Sequence, residues 1–178
     1  MSINKKIVLI IAFKDFRDEE YFIPIQSFNS AGFETVTAST SLGTAFGAYG
    51  GEANVDTLIE DLDAKKFDAI VFVGGGGSIK HLNDPQFHTV AKKAIEYNKI
   101  LGAICFAPAI LAKAGVLSGR KATVWSSPMD RSTIKILQEN GVEYINNNVV
   151  ADGNIITANG PDAAEKFSKE IINKLKQI

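Results

Sequence analysis

Apolar runs alternate with segments of helical periodicity along the whole chain. Residues 6–13 are apolar at every position after Lys6, as in a strand buried on both faces. Residues 18–31 then place Tyr21, Ile25 and Phe28 at helical spacing, with Gly32 as a stop. Residues 33–38, 67–73 and 100–105 read as the second, third and fourth strands. Asp84 as cap and Pro85 in the first turn open a helix running through Tyr97. A short helix follows Cys105 to Lys113, closed by Gly115. Residues 121–124 read as a strand, and residues 132–140 as a helix ending at Gly141. Short strands near Val149 and Ile155 flank the turn pair Asp152 and Gly153. The last element is an amphipathic helix from about Pro161 to Leu175.

This order predicts an α/β fold, an open and mostly parallel sheet with helices on both faces. Residues 1–178 show no repeat and no linker that would divide them, so a single domain is expected. Ligands of such sheets bind beyond the carboxyl ends of the strands. Three features fall there: acids after strand one, glycines after strand three, and Cys105 after strand four.

Composition narrows the function. The chain is 46% hydrophobic and 22% charged, the balance of a globular protein. A net charge of −1, with no basic cluster larger than a pair, gives no footprint for nucleic acid or an anionic membrane. The apolar run at residues 7–13 is too short to span a bilayer and has no cleavage site behind it. A single cysteine cannot form an internal disulfide, which points to a reducing compartment and a cytoplasmic address. No cofactor or metal is expected.

The glycine run, Gly74 to Gly77, is not a nucleotide loop. It lacks the Gly-Lys-Ser/Thr ending, and it follows the third strand rather than the first. It is either a plain turn or a set of backbone N–H groups open to a developing oxyanion.

Cys105 closes an apolar strand, and Pro108 suits the first turn of the helix after it. Ala103 and Ala107, two residues either side, are small, as a nucleophile elbow demands. Such a turn sets the thiol over a helix N-terminus, which favours thiolate. The plain alternative is a small buried hydrophobe. Its partner is open among Asp15, Asp18, Glu19 and Glu20, with His81 after the glycine run as a further candidate; His88 reads as solvated. A carboxyl beside the thiol would share one proton with it.

Residues 99–117, with their Ala-Ile-Cys-Phe-Ala-Pro core, resemble the cysteine segment of the ThiJ/PfpI superfamily, which includes Parkinson disease protein seven and the archaeal intracellular proteases. The run from Asp18 to Pro24, the glycine turn and Asn159-Gly160-Pro161 match in order and position. The resemblance implies a flavodoxin-like sandwich, a homodimer or larger homo-oligomer, and Cys105 as nucleophile or oxidation-sensitive thiol. It selects Glu20 as the acid, the amides of Gly76 and Phe106 as oxyanion hole, and Gly75 and Trp125 as pocket residues. The protease branch carries His where this chain has Phe106, and another branch carries His near Trp125. Peptide hydrolysis therefore lacks its proton donor.

Three readings follow. The first is a hydrolase or lyase acting on small carbonyl or acyl compounds of the glyoxal or glycated type. The second is a redox-responsive stress protein or chaperone with Cys105 as sensor. The third is a binding scaffold with an inert thiol.

Overall fold

The computed structural model describes residues 4–178 and gathers the apolar runs into one central sheet. Its strands are β1 (Lys6–Ile10), β2 (Glu34–Ser39), β3 (Thr57–Leu58), β4 (Ala69–Phe72), β5 (Ile100–Ile104), β6 (Val149–Asp152) and β7 (Ile155–Ala158). They lie in the order β6-β7-β5-β4-β1-β2-β3. All neighbours run parallel except β6 and β7, an antiparallel hairpin turned through Gly153 at φ 61°.

Helices α1 (Asp18–Ser30), α2 (Pro85–Glu96), α3 (Ala107–Lys113), α4 (Ser132–Glu139) and α5 (Ala164–Leu175) cover the two faces. Side chains alternate across a strand, so one continuous apolar run feeds two cores. Val8 and Ile10 join Phe87 of α2, Ile110 of α3 and Leu137 of α4. Ile7 and Leu9 join Phe28 of α1 with Phe167 and Ile171 of α5. Helix α5 closes on β5 where there is no side chain. A Cβ at Gly102 would lie 3.0 Å from both Phe167 Cζ and Ile171 Cδ1.

The expected punctuation is present. The Asp84 carboxylate accepts from the Gln86 N–H at 2.9 Å, and Gly32 takes φ 83° after α1. Several strands are shorter than the pattern predicts, two of them for a visible reason. The first ends at Ile10, although Ile11 N–H still donates to Ala38 O, because the chain turns away toward Asp15 at φ 61°. Of residues 121–124 only Lys121–Ala122 pairs, with Glu143–Tyr144 and outside the central sheet. Side chains intercept their N–H groups: Asp152 accepts from Lys121 and Thr157 Oγ1 from Thr123.

A feature the pattern did not announce is a hairpin of Gly43–Gly47 and Glu52–Val55, extended by Lys14–Phe16 into a second small sheet. No helix among the described residues is long and apolar enough to cross a membrane.

Phe167 has no solvent exposure and joins α5 to the sheet, so Phe167→Ala is expected to cost about 3–5 kcal/mol. Urea unfolding checks this, as a lower midpoint at unchanged slope. A loss below about 1 kcal/mol, the ordinary effect of a point substitution, would remove α5 from the cooperative core.

Candidate active site

The loops after β1, β4 and β5 meet where the strand order reverses, between β1 and β4, the usual place for a site in this architecture. Cys105 is the first residue beyond β5 and takes φ 63°, a left-handed conformation uncommon outside glycine. Two backbone bonds impose it. Cys105 N–H donates to Ala158 O and Trp125 N–H donates to Cys105 O, both at 2.9 Å. Ala103 and Ala107, two residues either side, are small and have no exposure. Helix α3 then opens at Ala107 with Pro108 in its first turn. The elbow expected from the sequence is formed.

Glu20 lies in the first turn of α1 and has no exposed surface. Gly74 N–H donates to its Oε2 at 3.0 Å. Gly74 is bare because it is wedged between the two functional groups. A Cβ there would come within 2.6 Å of both Cys105 Cβ and Glu20 Oε2. Oε1 has no hydrogen-bond partner among the described residues, and the carboxyl lies beside the Cys105 side chain across Gly74. Burial raises Glu20 to about 7, against the opposing pull of the Cys105 and Gly74 hydrogen bonds.

The thiol is raised as well, by burial first and then by the charge and hydrogen bond of Glu20. The N–H groups of Gly75 and Phe106 pull it down. Burial thus outweighs the helix N-terminus that the sequence suggests would favour thiolate. The two groups titrate as one unit, passing from two protons to one around neutrality.

The glycine run divides by position. Gly75, at φ 107°, passes so close to the turn before α1 that a Cβ would meet Arg17 N at 2.4 Å. At Gly77 a Cβ would strike Lys14 O. Gly76 alone has nothing within 4 Å of that position, and it faces the cleft.

That cleft, about 680 Å³, opens over Cys105. Gly75, Gly76, Phe106 and Trp125 all line it, the last two with ring centroids 4.9 Å apart. Neither histidine does. His81 Nδ1 is 2.8 Å from Asp84 Oδ2 with its ring stacked on Phe87, and His88 Nε2 lies 2.9 Å from Leu82 O.

The acids that the sequence leaves equivalent have separate duties. Asp18 accepts from Tyr49 N–H at 2.9 Å and Gly51 N–H at 2.7 Å, pinning the hairpin tip to α1. Glu19 takes the Arg17 guanidinium. Asp15, at the strained turn, is exposed. Arg17 and Tyr49 line the cleft and were not foreseen. The aromatic set among glycines at residues 47–51 was the only sequence signal for Tyr49.

The chain is similar to known proteins over nearly its whole length. A deglycase of Thermococcus kodakarensis is 34% identical over 170 residues, covering 95% of this chain and 99% of that protein. The crystal structure of a ThiJ/PfpI domain protein from Brachyspira murdochii superposes with a TM-score of 0.93 at 34% identity, covering 98% of each chain. Drosophila melanogaster DJ-1beta gives a TM-score of 0.86 at 28% identity, covering 97% of this chain and 91% of that one. The DJ-1/PfpI family profile matches residues 5–174, and this chain, flavodoxin-like with a cysteine at its strand-to-helix turn, belongs to the DJ-1/PfpI family.

Proposed function

We propose that the protein is a cysteine-dependent enzyme of the deglycase or glyoxalase type, acting on small carbonyl or acyl compounds. The observation that carries this reading is the buried Glu20 carboxyl set beside Cys105, whose side chain forms the floor of an open cleft. The similarity to a protein named as a deglycase supports it.

In the first step the Cys105 thiol passes its proton to Glu20 and the sulfur forms a bond to the carbonyl carbon. The carbonyl π pair moves to oxygen, which takes the proton held by Glu20, leaving a hemithioacetal and a carboxylate. The N–H groups of Gly76 and Phe106 serve the oxygen as charge gathers on it. With a 2-oxo aldehyde, Glu20 then takes the former aldehyde C–H proton, giving an enediolate, and returns it to the neighbouring carbon as the hydroxyl proton of the first carbon passes to the neighbouring oxygen. One carbon is oxidised to a thioester as its neighbour is reduced to a carbinol, so no outside oxidant is needed. Water cleaves the thioester, releasing a 2-hydroxy acid and restoring the thiol.

Peptide cleavage has less support. A leaving amine needs a proton donor, and no imidazole lines the cleft.

The unpartnered Oε1 of Glu20 favours a second reading, oxidation of Cys105 to sulfinate. Each peroxide delivers one oxygen to sulfur and leaves as water, and protonated Glu20 donates to the sulfinate. Mild peroxide is then expected to add two oxygens to the Cys105 peptide, read by mass spectrometry. A thiol left intact while Met129, exposed at 96%, is oxidised excludes it.

For the enzymatic reading, Cys105→Ala is expected to abolish turnover of 2-oxo aldehydes, and Glu20→Gln to lower kcat by about 10²–10⁴-fold. Steady-state assays test both, and full activity in Cys105→Ala sinks the reading. Cys105 alkylation is expected to rise as pH increases through about 7, where the pair loses its first proton. Glu20→Gln removes that inflection and leaves a single thiol titration. A wild-type rate flat from pH 6 to 8 in stopped-flow alkylation would contradict the shared proton.

A further inference from the structure

Arg17 is the only cation lining the cleft, and its guanidinium is held on several sides. Nε and Nη2 donate to Glu19 at 2.8 and 3.3 Å. Nη1 donates to Tyr49 Oη at 3.1 Å, and the Tyr49 ring covers the guanidinium face with its centroid 4.6 Å from Cζ. The Tyr49 backbone is itself fixed by Asp18. A guanidinium has five N–H donors, and these contacts use three. One N–H on Nη1 and one on Nη2 have no acceptor among the described residues. An arginine immobilised in this way has already lost the side-chain freedom that binding would otherwise remove, so its remaining donors are preorganised.

We infer that Arg17 is a specificity residue that receives a carboxylate on the substrate, so that the preferred substrates are carbonyl compounds bearing a carboxylate rather than neutral aldehydes. This deepens the enzymatic reading above and rests on it. The size of the cleft agrees. At about 680 Å³ it lies within the range of small-molecule sites and leaves room beyond a three-carbon aldehyde. The opposing charge on the wall, Asp162, is exposed, and solvent screens its field. Glu19 holds one edge of the guanidinium and is not on the cleft wall, so it orients the cation without filling the site.

The carboxylate has two sources, the carbonyl compound itself or an amino acid joined to it, and the assay separates them. One arm compares two 2-oxo aldehydes, 4,5-dioxopentanoate, which carries a terminal carboxylate, and its neutral counterpart 2-oxopentanal. The other compares the methylglyoxal adduct of glycine with that of glycinamide. In at least one arm kcat/KM is expected to favour the carboxylate member by about ten-fold or more, the strength of charge-assisted hydrogen bonds. The arm that shows the preference identifies the source. In Arg17→Gln the ratio falls to near one, through KM of the charged member, and Arg17→Lys restores part of it. Equal kcat/KM within both pairs, or a ratio unmoved in Arg17→Gln, overturns the inference while the enzymatic reading stands. Binding is read apart from turnover by titrating pyruvate into Cys105→Ser and following the Arg17 Nε–H resonance by NMR. A shift there, with pyruvate binding by calorimetry that weakens when Arg17→Gln is added to Cys105→Ser, supports the carboxylate site even if no carbonyl compound is turned over. No shift with saturating pyruvate counts against it.

Discussion

A carboxyl group without solvent contact needs either a proton or a partner, and the arrangement of this protein follows from giving Glu20 both. The proton is shared with Cys105, and the partner is the Gly74 N–H. Three strand ends must therefore be placed together to within a hydrogen-bond length. Helix α1 begins at Asp18 so that Glu20 turns inward. Strand β4 delivers a residue with no side chain between acid and thiol. The turn after β5 takes a left-handed conformation to raise the sulfur toward both. A left-handed non-glycine residue costs of order 1–3 kcal/mol, and bonds to Ala158 and Trp125 hold it in place.

The fold was legible because the central strands are buried on both faces and read as unbroken apolar runs. The elbow was legible for a related reason, since the residues two either side of Cys105 are buried alanines. The hairpin of Gly43–Gly47 and Glu52–Val55 was not legible. One of its faces lies in solvent, its strands are short, and its glycines imitate a loop. Strand β3 has two residues and carries no periodicity at all.

Among the acids the sequence alone stopped at a set, and the family resemblance was needed to choose Glu20. Successive helical residues point about 100° apart, so three adjacent acids face three directions. Nothing in their order says which direction is inward. Asp18 reaches the hairpin, Glu19 reaches Arg17, and Glu20 enters the core. Arg17 escaped notice for the same reason. Its place in the cleft depends on Tyr49, more than thirty positions along the chain, and no local pattern connects them.

The gap at Gly76 separates it from the rest of its run. Its neighbours are glycine because backbone or side-chain atoms occupy the space a Cβ would need, whereas Gly76 borders open cleft. The backbone therefore tolerates a side chain at this one point, on the wall of the cleft that holds the thiol. A side chain at this position would trade access to the sulfur against selectivity for its visitors, with no change to the scaffold. It is the adjustable aperture of the site.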